Sequence, residues 1–254
     1  MLPRPKKRFG QHFLTDRHYL RRIVESIDAR PGDAMVEIGP GTGLLTAELL
    51  HTLGHLHVVE IDRGLAQALR ERFDPAQVTV HEADALEFDF SSLPEALRVA
   101  GNLPYNVSTP ILFRIAALAQ RVKDCTFMLQ KEVVERMVAA PGTMNYGRLS
   151  VMLQYRFAME SLLRVPPGAF TPPPKVDSAV VRMVPLGADR PRARDEAMFG
   201  QLVSAAFSQR RKTLRNAARA LVGEEAFTRA GIDAGRRGET LSVAEFIALA
   251  DAAG

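Results

Sequence analysis

The residues best equipped for chemistry in this chain are Asn102-Leu103-Pro104-Tyr105, at the end of the apolar run Leu97-Arg98-Val99-Ala100-Gly101. The amide oxygen of Asn102 and the carbonyl of Leu103 can each accept one hydrogen of an exocyclic amino group. Pro104 stiffens the turn and brings no N–H of its own. Tyr105 offers an aromatic face to a planar base. So short a string also arises by chance where a strand runs into a loop, so its meaning depends on what surrounds it.

Upstream lies a glycine loop, Glu37-Ile38-Gly39-Pro40-Gly41-Thr42-Gly43. Glycines such as Gly39 and Gly41 between a strand and a helix let backbone approach a ligand closely. In dinucleotide enzymes that ligand is pyrophosphate. Here Glu37 precedes the first glycine by two positions, which suits the amino-acid part of S-adenosylmethionine, a ligand without phosphate. Glu60 follows about twenty residues on, where a carboxylate can accept both ribose hydroxyls. Asp84, in Ala83-Asp84-Ala85-Leu86, is placed to accept from the cofactor's adenine amino group. Either acid alone could be an ordinary polar strand end. A glycine loop, an acid and an acid at consecutive strand ends favour a cofactor site. With Asn102 to Tyr105, they point to methyl transfer onto the amino nitrogen of adenine.

The elements that position these residues alternate in type. Residues 34–38, 57–61, 78–80, 98–101 and 125–129 read as strands, and 44–53 and 65–73 as helices. Such alternation predicts an α/β fold with a Rossmann-like, mostly parallel sheet covered by helices. Residues 162–165 and 179–184, flanking the proline-rich stretch 166–174, predict an antiparallel hairpin at the sheet edge. A linker at 185–191 precedes predicted helices at 199–221, 224–230 and from 241, where Ser242 and Glu245 have capping-box spacing. The expected organisation is therefore a catalytic domain over residues 1–185, with a basic N-terminal arm, and a small all-α domain over 190–254.

Composition narrows the function further. The chain has 254 residues, 46% of them hydrophobic, enough for one full core and a small second one. Its apolar runs fall short of the ~20 residues a membrane span needs, and no signal-type segment follows the basic start. With Cys125 as the single cysteine, an internal disulfide is impossible and a reducing cytoplasm is the simplest compartment. His51, His55, His57 and His81 lack zinc-ligand spacing, and no nucleophile elbow suggests a hydrolase, so no metal is expected. Net charge is only +4, but Lys6, Lys7 and Arg8 cluster at one end and Arg210, Arg211, Lys212 and Arg215 near the other. Such runs are often just solvated faces. Two of them flanking a base-gripping motif suggest RNA phosphates. In the predicted helix, Arg211 and Arg215, four apart, share one face.

Longer motifs extend the pattern. They are Arg8-Phe9-Gly10-Gln11-His12-Phe13-Leu14, the glycine loop, Asn102 to Tyr105, Tyr146-Gly147-Arg148-Leu149-Ser150-Val151, Phe170 with Pro172-Pro173-Pro174-Lys175-Val176-Asp177-Ser178, and Phe207 with Gln209-Arg210-Arg211-Lys212-Thr213-Leu214-Arg215-Asn216. In this order the chain resembles, nearly end to end, the bacterial small-subunit ribosomal RNA adenine dimethyltransferases of the KsgA type. The resemblance implies transfer of two methyl groups from S-adenosylmethionine to N6 of each of two adjacent adenines. These lie in the 3′-terminal hairpin loop of small-subunit rRNA within an assembling 30S particle, and the enzyme is expected to act as a monomer. Carried over by position, the cofactor contacts are His12, Leu14, Gly39, Glu60, Asp84 and Asn102. Many relatives have Asn where this chain has His12, so that contact is made by imidazole or by backbone. Asn102 and Leu103 would orient the amino group, Tyr105 would stack on the base and Phe170 would cover its other face, unless these rings are core packing. The competing readings are a large-subunit rRNA adenine methyltransferase of the antibiotic-resistance type and a non-catalytic RNA-binding assembly factor.

Overall fold

The computed structural model describes residues 11–209 and 211–254. These divide into two compact units. One holds the described residues up to Val134 with Met159–Pro185, and the other holds Glu135–Ala158 with Leu186–Gly254. The linker expected at 185–191 begins at the third join, between Pro185 and Leu186. The segment Glu135–Ala158, read from sequence as part of the first domain, groups with the helical tail.

In chain order the elements are β1 (Phe13–Leu14), α1 (Arg17–Ile27), β2 (Met35–Ile38), α2 (Leu44–Leu49), β3 (Leu56–Glu60), α3 (Arg63–Arg72), β4 (Val78–Glu82), β5 (Leu97–Asn102), α4 (Ser108–Ala117), β6 (Val122–Gln130), α5 (Lys131–Met137), α6 (Arg148–Gln154), β7 (Phe157–Val165), β8 (Phe170–Thr171), β9 (Ser178–Pro185), α7 (Glu196–Ser208), α8 (Leu214–Ala217), α9 (Glu224–Ala230) and α10 (Val243–Ala253), with short 3-10 turns between some of them.

The main sheet has seven strands in the order β4-β3-β2-β5-β6-β9-β7. Strands β4, β3, β2, β5 and β6 run parallel. Strand β9 runs antiparallel beside β6, and β7 takes the outer edge. All four residues of β2 are buried, as befits a central strand of a parallel sheet covered on both faces. From β2 the chain winds outward through β3 to β4, then returns to the other side of β2 as β5. The order reverses between β2 and β5, and in open sheets of this kind ligands bind at such a switch point, beyond the carboxyl ends of the strands.

Local chemistry sets the helix ends. Asp16 caps α1 by accepting from His18 N at 2.7 Å, and Asp62 caps α3 by accepting from Gly64 N at 2.9 Å. Each satisfies a backbone donor that the first turn leaves unpaired. Helix α2 stops at Leu49, shorter than the stretch to 53 that periodicity suggested.

At the opposite end of the strands sits a buried cation, Arg98, only 3% exposed. Its guanidinium meets Asp124 through two bonds of 2.8 Å and Asp33 at 2.7 Å, and it also donates to the carbonyls of Asp28 and Ile27. The network ties the end of α1 to β5 and β6. Lys123 also reaches Asp33, at 2.7 Å. These donors offset burial and hold the Asp33 carboxyl down at about 2.

The second unit packs its own core around Tyr146, Tyr155, Phe199, Leu202, Leu214 and Phe246. The Tyr155 and Phe199 rings stack at 4.3 Å. The capping box of α10 forms as its spacing predicts, with Ser242 and Glu245 exchanging backbone and side-chain bonds. The single helix predicted over 199–221 is corrected. Helix α7 ends at Ser208, and α8 begins only at Leu214. The cause is tertiary. Leu214 N and Arg215 N donate to Arg236 O and Ala234 O at 2.8 and 3.1 Å. Gly238 packs so tightly on α7 that a Cβ there would sit 2.9 Å from the Ala206 Cβ. Arg211 and Lys212 therefore lie in a turn, and the shared helical face expected of Arg211 and Arg215 does not form.

Candidate active site and cofactor cleft

The glycine loop leaves β2 at the switch point. Gly39 N donates to Val59 O, and Gly43 N donates to Pro40 O, both at 2.9 Å, which folds the loop tightly before α2. Gly41 has φ +57, which strains any larger residue, and a Cβ on it would lie 3.0 Å from the Phe13 ring, so the ring would have to shift as well. On β5, a Cβ at Gly101 would come within 2.2 Å of Ile38 O. That close approach lets Asn102 emerge directly beside the loop.

Two adjoining pockets share Gln11, Gly39 and Pro104, and they form one cleft across the ends of β2, β3 and β5. The first, of about 770 Å³, is lined by His12, Leu14, Gly41, Asn102, Leu103 and Tyr105 among others. The second, of about 660 Å³, is lined by Glu60, Ile61, Ala83, Asp84 and Asn106 among others. The structure thus brings every cofactor residue read from sequence into one cleft.

Glu60, 4% exposed, accepts from Asp62 N at 2.8 Å through Oε1 and from Gly41 N at 3.2 Å through Oε2. Burial raises its carboxyl to about 7, and the Asp62 charge adds to the rise. Glu37, fully enclosed beneath the loop, accepts from the Thr46 hydroxyl at 2.6 Å. Burial, with the Glu60 charge adding, raises it to about 7 as well. Asp84 is half-buried, and its Oδ1 accepts from Leu86 N at 2.9 Å, a turn that fixes the carboxylate at the pocket wall.

The donor set fits S-adenosylmethionine. A backbone cradle without Cβ atoms adjoins a buried double acceptor at Glu60. Ile61, a large apolar side chain left 46% exposed, lines the same pocket as Glu60 and Asp84. Sequence reading missed Ile61, although a bulky apolar residue directly after a strand-end acid was the available signal.

Around Asn102 the N-terminal segment closes in. Strand β1 pairs antiparallel with β8, Phe13 opposite Thr171 and Leu14 opposite Phe170. Asn102 Nδ2 donates to His12 O at 2.9 Å. The Tyr105 hydroxyl bonds to Ser178 Oγ at 2.5 Å, which fixes the ring, and burial raises its pKa. The Leu103 side chain is buried, and its N–H donates to Met128 O at 3.1 Å. Leu14 is half-buried against the core. Phe170 is not brought to the cleft. It is 3% exposed and packs in the core with Ile23, Ala100, Met128 and Val180.

Of the expected phosphate contacts, Lys6, Lys7, Arg8 and Arg210 lie outside the described residues. Arg211 and Lys212 are exposed, and Arg215 is paired with Glu224 at 2.6 Å. Among the described residues no group of three or more His, Cys, Asp or Glu is arranged to hold a metal ion, and no helix is long and apolar enough to cross a membrane.

Fold and cleft together define a Rossmann-like methyltransferase that uses S-adenosylmethionine. The model of one family, ribosomal RNA adenine dimethylase, matches residues 3–253, and the chain belongs to that family. Among relatives, it is 59% identical over 246 residues to "Ribosomal RNA small subunit methyltransferase A" of Aromatoleum aromaticum, covering 97% of this chain and 93% of the relative. It is 56% identical to the protein of the same name from Nitrosospira multiformis, covering 96% and 95%. Among solved structures it is similar to a dimethyladenosine transferase from Plasmodium falciparum, with TM-score 0.79, 25% identity and coverage of 94% and 96%. It is also similar to the 23S rRNA methyltransferase ErmE, with TM-score 0.73, 27% identity and coverage of 94% and 98%.

Proposed function

We propose that this chain transfers methyl groups from S-adenosylmethionine to N6 of two adjacent adenines in the 3′-terminal hairpin loop of 16S rRNA. The substrate is an assembling 30S particle, and the enzyme acts as a cytoplasmic monomer. The observation that carries the reading is the Asn102 amide at the end of β5. Its Nδ2 is committed to His12 O, which leaves Oδ1 as an acceptor in the same pocket as the glycine loop.

Bound in the cleft, the cofactor supplies a methyl group activated by its sulfonium. The protein's share is binding and orientation. Glu60 accepts the ribose hydroxyls, Asp84 the cofactor's adenine amino group, and Ile61 lies against that ring. Gly39, Gly41, Leu14 and the backbone of His12 frame the rest. The target N6 is a weak nucleophile because its lone pair is delocalised into the ring. With one N6 hydrogen accepted by Asn102 Oδ1 and the other by the Leu103 carbonyl, the nitrogen moves toward tetrahedral and its lone pair points at the methyl carbon. Orientation of this kind is worth several kcal/mol, and the two acceptors also favour the positive charge that develops on the N–H groups. No strong base is needed, because the methylated nitrogen is cationic and acidic and gives up its surplus proton to water.

Tyr105 stacks on the flipped base, a contact worth roughly 1–3 kcal/mol. Loop adenines cost least to unstack. Arg211 and Lys212, with Arg215 and the basic residues Lys6, Lys7, Arg8 and Arg210, supply phosphate contacts. Identities above 50% to proteins named for the small subunit, against 27% to the large-subunit enzyme ErmE, favour the small-subunit reading. Transfer of labelled methyl groups to small-subunit but not large-subunit precursor particles, strongly depressed in Asn102→Ala, is the expected result. Equal labelling of both particles would overturn the substrate assignment.

A further inference from the structure

A side-chain amide can face a neighbour with either its oxygen or its nitrogen, and only one choice suits Asn102. The amino group of adenine offers hydrogens, so the amide must present oxygen to it. A backbone carbonyl can only accept. The His12 carbonyl, 2.9 Å from Asn102 Nδ2, therefore selects the orientation. Turning the amide over would set two acceptor oxygens against each other and leave the NH2 toward the substrate, where it repels.

What holds the His12 carbonyl is equally specific. The imidazole Nδ1 donates to Pro172 O at 2.8 Å. The ring lies stacked toward Tyr105, with centroids 5.6 Å apart and planes 25° apart. The next residues are tied down by the β1–β8 pairing and by Thr15 N donating to Ala169 O at 2.9 Å. The segment is thus clasped to the loop around Pro172, and the imidazole touches both that loop and the aromatic residue of the site.

From this we infer that His12 is a positioning residue for methyl transfer. Its carbonyl sets the Asn102 amide with Oδ1 toward the amino group, and its imidazole clamps that carbonyl by bonding to Pro172 O. The inference rests on the reading of Asn102 as the amino-group acceptor. It differs from a cofactor-contact role for His12 in what each would change. A cofactor contact alters S-adenosylmethionine affinity, whereas a positioning residue alters turnover through Asn102 and nothing else.

The test measures methyl transfer to small-subunit particles, with cofactor affinity by calorimetry, for His12→Ala, His12→Phe and His12→Asn, each alone and with Asn102→Ala. Single-turnover conditions with enzyme in excess keep the slow variants measurable. His12→Phe keeps a ring beside Tyr105 and loses the donor, and it decides the case should alanine lower the thermal midpoint. His12→Asn places an amide N–H where Nδ1 was. The expected result is a turnover loss of about tenfold or more for Ala and Phe, with cofactor Kd and particle KM within about threefold, and recovery to within about threefold of wild type for Asn. In the Asn102→Ala background the further loss should be below about twofold. Equal losses in both backgrounds, or a cofactor Kd that weakens in step with turnover, would overturn the inference while leaving Asn102 in its role. Wild-type turnover in Asn102→Ala would remove the reading beneath it as well.

Discussion

Glu60 should make cofactor binding depend on pH. Its two carboxylate oxygens already accept from Asp62 N and Gly41 N, and the ribose hydroxyls need the remaining lone pairs. A proton on either oxygen removes an acceptor and opposes binding. Burial raises the group to about 7, so the cofactor-free protein is only half ionised at neutral pH. Apparent affinity scales with the competent fraction, which falls about tenfold between about pH 8 and about pH 6 for a group titrating at about 7. Calorimetry across that range should therefore give weaker binding at the acid end. The cofactor's own amino group titrates nearby, so the decisive quantity is the difference from Glu60→Gln, which binds weakly at every pH and lacks the carboxyl-linked part of the slope. Glu37 also lies at about 7 and borders the first pocket, but its Oε2 is taken by the Thr46 hydroxyl and the ribose contact is assigned to Glu60, so Glu37→Gln should keep the slope. Identical pH dependence in wild type and Glu60→Gln would refute the assignment of Glu60 as the ribose acceptor.

Other expectations follow from the same geometry. Arg98→Ala should lower stability by about 3–5 kcal/mol, because it takes the buried cation from Asp33 and Asp124 and leaves them only the more exposed Lys123 and Arg182, and chemical denaturation measures this; a loss below about 1 kcal/mol would contradict it. His57, close to His55 and His81, is held down to about 4 chiefly by burial. The unfolded chain then binds the extra proton first, so this group's contribution to stability is lost as pH falls from about 6.5 toward about 4. In thermal scans across that window His57→Gln should lose less stability than wild type, and equal losses would count against the assignment. Replacing Arg211 and Lys212 together with Ala should weaken particle binding and flatten its salt dependence by about one to two units, with cofactor affinity unchanged; an unaltered salt slope would return both to solvated surface.

What was legible in the sequence was what local chemistry decides. The strand-helix alternation, the glycine loop, Glu60 at the end of β3 and Asp84 just past β4 all follow from short stretches that carry their own signal. What was hidden depends on contacts distant in sequence. Strands β1 and β8 hold two residues each, too few for any period, so the clasp around His12 could not be read. Arg98 sits in an apolar run, and its partners come from residues as far apart as 28 and 124. Phe170 in a proline-rich stretch reads as available for stacking, yet Leu14 pairs across from it and the ring turns into the core. The break after Ser208 is imposed by residues 234–238, which no helical pattern in 199–221 could reveal.

Dimethylation of adjacent adenines in small-subunit rRNA is tested most directly by mass analysis of that RNA. Small-subunit particles lacking the modification would be incubated with the enzyme and S-adenosylmethionine, and the rRNA digested to fragments. Two neighbouring N6,N6-dimethyladenines are expected in a single fragment from the 3′-terminal hairpin loop, and only a small fraction of that yield with Asn102→Ala over the same time. Methylation confined to large-subunit RNA, or to an atom other than N6, would contradict it.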